Sequence, residues 1–336
     1  MSQDALSSSD GQLSDGIDLT IVVPVYNRAA LIGRCLRSCL AQAGENVEVI
    51  VVDDASTDDS VAAVRAFSHP RMSVLVQERN KGVCSARGRG VSEARGEWVA
   101  FVDSDDELAG GAIDTLLAAI RECPEDCGAI YHRDLHADGV VSPVTVPRYG
   151  KLRYEDYIEL MNVNLHRYKD VFQCMRASAL KEVPWPENRA PETEFHLNFV
   201  RRFPVLMREP AIYLVHDDAD ARLSTAQTLS PSRSEAELER LHSLERIIDD
   251  HGDALRAHGP ALWEHMLTNL ISLEAIFGRK EKMRELYSYG IRNGGRKSRL
   301  VPVFAAGFLG PKVIVKMRFW YKRLRALAAL RKPAST

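Results

Sequence analysis

The chain has 336 residues, of which 44 are Lys or Arg and 46 are Asp or Glu, so its formal net charge is −2. With 45% hydrophobic and 27% charged residues, its composition is that of a soluble globular protein and excludes the collagen-like, disordered and disulfide-scaffold classes. The small net charge conceals an asymmetry, because residues 286–336 contain 12 Lys or Arg and no Asp or Glu. A basic segment of this kind binds an anionic surface, nucleic acid or acidic lipid, or is a solvated tail.

Residues 1–16 are rich in Ser, Asp and Gly and lack the layout of a secretory signal, so we expect a disordered leader on a cytosolic protein. The six cysteines are then expected to be reduced. The pairs Cys35/Cys39 and Cys123/Cys127 have i, i+4 spacing, which allows a zinc site, although buried thiols suit this spacing better. The longest uncharged stretch near the C-terminus, 300–311, is too short for a bilayer span, which needs about 20 residues.

From Leu19 onward, short β-branched runs alternate with helical patterns. The predicted strands are Leu19–Val25, Val47–Val52, Met72–Gln77 and Glu97–Val102, and the predicted helices are Arg28–Ala43, Asp58–Phe67, Val83–Ala94 and Ile113–Arg121. This alternation predicts right-handed βαβ units and a mostly parallel central sheet with helices on both faces. We therefore expect an α/β, Rossmann-like fold of the nucleotide-binding type.

Beyond residue 121 the pattern is looser. It predicts a strand at Ala129–Tyr131, an edge hairpin at Val140–Val146, a helix at Tyr154–Asn162, a Pro-rich loop at Val183–Pro191 and a helix at Glu192–Arg202. A linker composition at Ser230–Ser234 places a domain boundary near residue 228. The region 229–336 is helical in pattern, with predicted helices at Glu235–Asp250, Pro260–Phe277, Lys280–Tyr289 and Lys312–Leu330.

The residues at the ends of the predicted strands are the candidates for ligand binding, because open α/β sheets bind their ligands there. They are Pro24, Tyr26, Asn27 and Arg28 after the first strand, Asp53, Asp54, Ser56 and Thr57 after the second, and Asp103, Ser104, Asp105 and Asp106 after the fourth. Acidic clusters at one sheet edge repel each other unless a ligand joins them, and a divalent cation with phosphates meets that need. Helix capping is the alternative for Asp and Ser, but one helix start does not need three carboxylates. The G-x-G-x-x-G fingerprint is absent after the first strand, which disfavours a Rossmann dehydrogenase.

Four motifs follow one another in this part of the chain. They are Pro24-Val-Tyr-Asn-Arg, Val51-Val-Asp-Asp-Ala-Ser-Thr-Asp-Asp-Ser, Asn80-Lys-Gly-Val-Cys-Ser-Ala-Arg-Gly-Arg-Gly and Phe101-Val-Asp-Ser-Asp-Asp. In this order and spacing they resemble the family 2 glycosyltransferases of GT-A fold. The resemblance covers residues 17–106, thins after residue 119 and does not extend to the helical C-terminal third. It implies transfer of a sugar from a nucleotide diphosphate sugar, with inversion at the anomeric carbon.

The resemblance also implies roles for individual residues. The donor-binding residues would be Pro24, Tyr26, Asn27, Asp53, Asp54, Asn80, Arg87, Asp103 and Ser104. Asp54 is the better candidate for the base edge, and Arg87 is either near the donor or a surface arginine. Asp103-Ser-Asp105 matches the family's Asp-x-Asp element, which holds ribose and a Mn²⁺ or Mg²⁺ on the diphosphate. Asp106 and His216 are further candidate metal ligands, with His216 otherwise a loop histidine in a Tyr-x-x-His element.

An inverting displacement needs a carboxylate that takes the proton of the acceptor hydroxyl. The family places this base at the start of a helix of the form Glu-Asp followed by alternating hydrophobic positions. Here Pro191-Glu-Thr-Glu-Phe-His-Leu-Asn-Phe puts Glu192 in the base position, with Glu in place of the commoner Asp. Glu194 is the alternative, and both acids also suit a helix N-terminus without a catalytic role.

Together these features predict a GT-A domain over residues 17–228. The resemblance further implies an inverting hexosyl- or N-acetylhexosaminyltransferase that uses a UDP-sugar, in envelope, capsule or exopolysaccharide biosynthesis. The acceptor would be a glycan or a polyprenyl-linked sugar. Alternatives are an inactive nucleotide-sugar-binding or scaffold protein and a nucleotidyltransferase, although the latter's Gly-rich phosphate loop is absent after the first strand.

The basic tail completes the prediction. Apolar and aromatic residues alternate with Lys and Arg in Lys312–Leu330, as in an amphipathic helix that lies on an anionic membrane. Since no nucleic-acid motif is present, we expect a cytoplasmic protein that is peripheral at the inner face of the cell membrane. The alternative is a helix that packs on the acidic body of the catalytic domain.

Overall fold

The computed structural model describes residues 16–165, 170–186, 192–217, 235–310 and 312–317. The strands are β1 Leu19–Val25, β2 Val47–Asp53, β3 Met72–Val76, β4 Trp98–Phe101, β5 Glu107–Leu108, β6 Ala129–His136, β7 Val141–Ser142, β8 Gly150–Leu152, β9 Phe172–Arg176 and β10 Val205–Val215. The helices are α1 Ile32–Leu40, α2 Ser60–Arg65, α3 Val83–Glu93, α4 Ala112–Glu122, α5 Tyr154–Val163, α6 Ala177–Glu182, α7 Thr193–Arg202, α8 Glu235–His258, α9 Pro260–Ile276, α10 Lys280–Arg292 and α11 Lys297–Phe308.

Several sequence predictions fall outside the described residues. These are the leader except for its last residue, the end of the Pro-rich loop from residue 187, the boundary near 228 and the linker at 230–234. Of the predicted helix Lys312–Leu330, residues 312–317 are described and are helical. In the described part of the chain, no helix is both long enough and apolar enough to cross a membrane.

The ten strands form one sheet, eight of them in the order β3-β2-β1-β4-β9-β6-β10-β5, while β7 pairs with β6 and β8 pairs with β10. The first four strands of this order are parallel, as the βαβ pattern predicts. Strand β9 is antiparallel to both β4 and β6, while β10 runs parallel to β6. The sheet is therefore mixed, and the carboxyl ends of β1, β2, β4, β6 and β10 lie at the same edge.

Helices cover both faces of this sheet because its central strands are apolar on both sides. Ile21 and Val23 of β1 belong to the core cluster that contains α1 and α4. Val22, which lies between them, points to the opposite face and belongs to the cluster that contains α3, α5 and α7. A continuous apolar run is the pattern of a strand buried on both faces. The six cysteines are free thiols, and all but Cys123 are buried.

A close approach between α3 and β1 requires glycine at position 90. A Cβ added to Gly90 would lie 2.9 Å from Cγ2 of Val22 and still closer to its Cγ1. Gly90→Ala is therefore expected to lower the free energy of unfolding by about 1 to 3 kcal/mol, as overpacking in a filled core does. Urea denaturation measures this value.

Gly88→Ala on the same helix is the matched control. Among the described residues, a Cβ at Gly88 would meet only the Trp185 ring edge, at 3.8 Å. Since Ala is the better helix former by about 1 kcal/mol, this variant should be as stable as the native protein or more so. Equal stabilities of the two variants would contradict the proposed packing of α3 on β1.

The helices after residue 235 share a core with the sheet domain. Leu241 of α8 and Trp263 of α9 are buried in the same cluster as Ile158 of α5. The side chain of Asn162 on α5 accepts hydrogen bonds from the backbone N–H groups of Ala261 and Leu262, at 2.9 and 3.0 Å. These bonds satisfy free amides at the N-terminus of α9 and fix it to α5.

Candidate active site

A cavity of about 850 Å³ opens at the sheet edge where the carboxyl ends of the parallel strands meet. Eleven of the predicted site residues line it: Pro24, Tyr26, Asp54, Asn80, Arg87, Asp103, Ser104, Asp105, Asp106, Glu192 and His216. Three other predicted residues, Asn27, Asp53 and Glu194, do not line it. The structure thus gathers residues that are up to 192 positions apart in the sequence into one place.

Asn27 and Asp53 hold the loops after β1 and β2 together. Asn27 accepts a hydrogen bond from the backbone N–H of Thr57 at 2.8 Å and donates its own N–H to the Ser56 hydroxyl at 3.0 Å. Asp53 is buried and accepts the N–H of Ser56 at 2.9 Å. Their side chains stabilise the cavity rim, while donor binding by these two residues stays a prediction.

Asp54 is fixed where it borders the cavity. Its carboxylate accepts the side-chain amide of Gln77 and the backbone N–H groups of Lys81 and Gly82, at 2.9, 2.8 and 2.7 Å. Gly82 has φ of 94°, a conformation that favours glycine, and α3 starts directly after it. The Asn80-Lys-Gly motif therefore shapes the turn that positions Asp54.

The acidic run after β4 divides into two groups. Asp106 is buried, accepts the Tyr213 hydroxyl at 3.0 Å and the His216 N–H at 2.8 Å, and so connects the run to β10. Burial and the nearby charges of Asp103 and Asp105 raise the pKa of Asp106 to about 7, although these hydrogen bonds lower it. The side chains of Asp103 and Asp105 are 46% and 21% exposed to solvent, and both line the cavity.

The chemistry of these carboxylates fits Mn²⁺ or Mg²⁺. In the described part of the chain, no three His, Cys, Asp or Glu side chains are arranged as a ready metal cage. Mg²⁺ at nucleotide sites uses one or two carboxylates together with the substrate phosphates, so such a cage is not required. Asp103 and Asp105 have the oxygen atoms that such a cation needs, and their role as metal ligands stays a prediction. His216 is in contact with Glu107, with its Nε2 2.8 Å from Oε1, so its role as a ligand stays a prediction.

Arg87 joins the two sides of the cavity. Its Nη2 donates to Asp103 at 2.6 Å and its Nη1 donates to Glu192 at 2.7 Å. The guanidinium also packs near the rings of Phe101 and Trp185, 5.6 and 5.8 Å from their centroids. With 14% of its side chain exposed, Arg87 is an internal bridge and not a surface arginine.

Glu192 stands at the N-terminal end of α7 and is ionised in this setting. Burial raises the pKa of Glu192, but the Arg87 charge and contact with His196 outweigh burial and lower it to about 2. The Cys84 thiol donates to Oε1 of Glu192 at 3.6 Å, the same oxygen that Arg87 contacts. A carboxylate held by these three neighbours has a fixed orientation towards the cavity.

Glu194, the alternative base, has a different environment. Both of its oxygens accept hydrogen bonds from Arg246 of α8, at 2.6 and 2.8 Å. This bidentate pair connects α7 to the C-terminal helices. The geometry therefore supports Glu192 over Glu194 as the base.

Comparison with known proteins identifies the domain that carries this cavity. Residues 20–183 match the model of glycosyl transferase family 2. This segment is a family 2 glycosyltransferase domain. Over 91 residues, the chain is 48% identical to the succinoglycan biosynthesis protein ExoO of Rhizobium meliloti. The aligned residues make up 27% of this chain and 26% of ExoO. The chain thus matches about a quarter of the length of that relative.

Solved structures confirm the GT-A fold of the family 2 domain and the helical C-terminal region. S. aureus TarS 1-349 in complex with UDP-GlcNAc has a TM-score of 0.56 at 19% identity, over 91% of this chain and 92% of TarS 1-349. The mannosyltransferase PcManGT from Pyrobaculum calidifontis, in complex with GDP-Man and Mn²⁺, has a TM-score of 0.52 at 18% identity, over 92% of this chain and 84% of PcManGT. At these identities the likeness concerns the fold.

Sequence reasoning missed one side of the cavity. Asp134, Asp170 and Phe172 line it but belong to none of the four motifs. The predicted strand at this point ended at Tyr131, whereas β6 continues to His136, so Asp134 was not recognised as a residue at a strand end. Extending the strand-end rule to β6 would have found it.

Proposed function

We propose that this protein is an inverting glycosyltransferase that moves a sugar from a nucleotide diphosphate sugar to a hydroxyl group of a glycan or polyprenyl-linked acceptor. The observation that carries this proposal is the Arg87 bridge. A single guanidinium joins Asp103, in the metal and donor motif, to Glu192, in the base motif, within one cavity. The residues proposed for the donor and for the base therefore lie close together, which supports a direct displacement.

In the proposed reaction, Glu192 accepts the proton of the acceptor hydroxyl. The hydroxyl oxygen forms a bond to the anomeric carbon while the bond from that carbon to the diphosphate oxygen breaks, so the configuration inverts. Because the pKa of Glu192 is about 2, its carboxylate is ionised, and can therefore accept a proton, throughout the physiological pH range. Asp103 and Asp105 would hold a Mn²⁺ or Mg²⁺ ion, whose charge would offset that of the leaving diphosphate.

The donor side of the proposal rests on Asp54, Tyr26 and Pro24, which border the same cavity. We propose a UDP-sugar of the hexose or N-acetylhexosamine type. Two structures of this fold contain nucleotide sugars, UDP-GlcNAc in TarS and GDP-Man in PcManGT, which supports a donor of this class. The name of ExoO supports a role in polysaccharide biosynthesis.

Thermal stabilisation and turnover test this function directly. The purified chain with Mn²⁺ is screened against UDP, GDP and dTDP and their sugars, and a donor at a hundred times its Kd should stabilise the fold by about 2.7 kcal/mol. Release of the nucleoside diphosphate from the stabilising sugar should follow. Stabilisation without release would identify an inactive nucleotide-sugar-binding protein, and no stabilisation by any nucleotide would refute the proposal.

Arg87 is predicted to set the pH range in which Glu192 acts. Its cation lowers the pKa of Glu192, so Arg87→Met leaves burial as the main influence and the pKa rises. The acid limb of the kcat/KM profile should therefore move to higher pH, by about 1 to 3 pH units. Arg89→Met, on the exposed face of α3, is the control and should leave the limb in place. An unmoved limb in Arg87→Met would show that another group controls it.

We further propose that the basic tail brings the enzyme to an anionic membrane, at its cytoplasmic face. Lys312 and Lys316 are exposed, and the neighbouring Leu309 and Met317 expose 73% and 38% of their surface. Ile314 is 1% exposed, so residues 312–317 also pack on the body of the protein. Binding to the membrane is therefore tested best with the residues that follow.

Deleting residues 318–336 should release the protein from phosphatidylglycerol vesicles at low salt. The deletion removes six Lys or Arg, each worth about 1 kcal/mol near an anionic surface, so binding should weaken well over a hundredfold. Sedimentation with vesicles measures the bound fraction, and phosphatidylcholine vesicles are the control. If the shortened protein still sediments with anionic vesicles, the tail is not the membrane anchor.

A further inference from the structure

The proposed mechanism leaves one side of the cavity unused. This side is formed by the end of β6, the start of β9 and one face of α5, and we call it the β6–β9 wall. Its residues are Asp134, His136, Tyr157, Met161, Asp170 and Phe172. The four sequence motifs and the residues of the donor side lie elsewhere in the cavity.

Asp134 of this wall has a polar atom without a partner. The residue is 2% exposed, and a backbone hydrogen bond from Phe172 reaches its carboxyl group. Its Oδ1 is nonetheless buried and has no hydrogen-bond partner within the described part of the chain. Leaving such an atom unsatisfied is unfavourable, and a bound hydroxyl group would satisfy it.

The charges around the wall disfavour an anionic ligand. Seven acidic residues line the cavity: Asp54, Asp103, Asp105, Asp106, Asp134, Asp170 and Glu192. The arginines of the lining, Arg28 and Arg87, already pair with Asp105, Asp103 and Glu192. The three histidines of the lining, His136, His196 and His216, contact Ser142, Glu192 and Glu107. A carboxylate placed near Asp170 would therefore be repelled.

We propose that the β6–β9 wall binds the acceptor as an uncharged sugar, with hydroxyl groups on Asp134 and Asp170 and an apolar sugar face on Tyr157. This proposal rests on the proposed glycosyl transfer for its purpose, but the binding of a sugar to the wall is measurable without turnover. A few convergent polar groups beside an aromatic ring are typical of a small-molecule site. Burial and the neighbouring Asp170 raise the pKa of Asp134 well above its usual range, so its carboxyl group can both donate to and accept from a sugar hydroxyl.

Saturation-transfer NMR on the full chain tests the proposal. The probes are the methyl glycosides of glucose, galactose and mannose, with methyl glucuronide as the anionic counterpart. At least one neutral glycoside should bind. Methyl glucuronide should bind more weakly than every neutral glycoside that binds. Asp134→Leu should weaken the neutral sugar about tenfold, while Asp134→Asn, which keeps a donor and an acceptor, should retain its binding.

A charge reversal gives a second readout that does not depend on the buried site. Asp170 is exposed, so Asp170→Lys should leave the fold intact and improve the binding of methyl glucuronide about three- to fivefold. Glu159→Lys, an exposed position of α5 outside the cavity lining, is the matched control and should change neither affinity.

The proposal is overturned if methyl glucuronide binds the native protein as well as the neutral sugars, if no neutral sugar binds, or if Asp134→Leu folds and binds normally. If Asp134→Leu does not fold, Asp170→Lys decides, and an unchanged affinity for methyl glucuronide rejects the wall as the sugar site. Stabilisation by UDP, GDP or dTDP with Mn²⁺, measured on the same samples, reports the donor side. Its absence would refute the proposed function alone, because the sugar affinities are obtained without a donor.

Discussion

Glu192→Gln is expected to lower the rate of sugar transfer by about 100- to 10,000-fold, the usual contribution of a general base. The amide keeps the shape of the side chain and can still contact Arg87, but it cannot take the proton of the acceptor hydroxyl. Nucleotide binding should persist, because Asp54 and Asp103 are unchanged. Initial rates with a donor identified by thermal stabilisation measure the loss.

Glu194→Gln is the matched control for this experiment. It makes the same chemical change two positions away, in a side chain whose partner is Arg246 and which lies outside the cavity lining. Its transfer rate should stay within about twofold of the native value, because a partly exposed ion pair contributes about 1 kcal/mol or less to stability. If the two variants exchange their effects, Glu194 is the base and the proposed arrangement is wrong.

Asp105→Ala is expected to reduce both sugar transfer and hydrolysis of the nucleotide sugar by about a thousandfold or more in the presence of Mn²⁺. The proposed metal site on the diphosphate would lose the Asp105 carboxylate, and Arg28 would lose the ion-pair partner that lies 3.3 Å from its Nε. Unlike Glu192→Gln, this change should also remove the Mn²⁺-dependent stabilisation by the nucleoside diphosphate. The second readout separates loss of metal binding from loss of the base.

Asp114→Ala controls for removal of an aspartate as such, because Asp114 is exposed on α4 and outside the cavity lining. Addition of EDTA to the native protein should reproduce the phenotype of Asp105→Ala, and Mn²⁺ should restore activity to the native protein only. Full activity of Asp105→Ala, or of the native protein in EDTA, would refute the metal assignment.

The first half of the fold was predictable because its strands are short apolar runs. Strand β1 has the predicted bounds, and α3 differs from its prediction by one residue. Strand β10 was missed because Glu209 and Pro210 interrupt its apolar pattern, at a point where its register with β6 shifts. Helix α11 was missed because Pro302 and Gly307 are helix breakers. Glycine fits at position 307 because an added Cβ would lie 3.1 Å from the Cβ of Ala275 and still closer to Met283.

The candidate site was predictable where a motif follows a strand and not where a contact joins distant segments. Asp54, Asp103 and Asp105 follow β2 and β4, so topology alone placed them at one edge. The choice between Glu192 and Glu194 depends on which acid faces Arg87 and which faces Arg246. These distances are set by the packing of α7 on α3 and α8, which local sequence does not encode.

Helix α5 has a practical consequence for recombining this chain with its relatives. Tyr157 on one face of α5 lines the cavity. On the other face, Asn162 accepts a hydrogen bond from the start of α9. Ile158 packs so closely against Gly259 that a Cβ there would lie 2.6 Å from its Cγ2. A chimera that exchanges α5 without the junction of α8 and α9 will therefore lose both contacts. Crossover points in such chimeras belong before β6, so that the second half of the sheet, α5 and the last four helices are inherited from one parent.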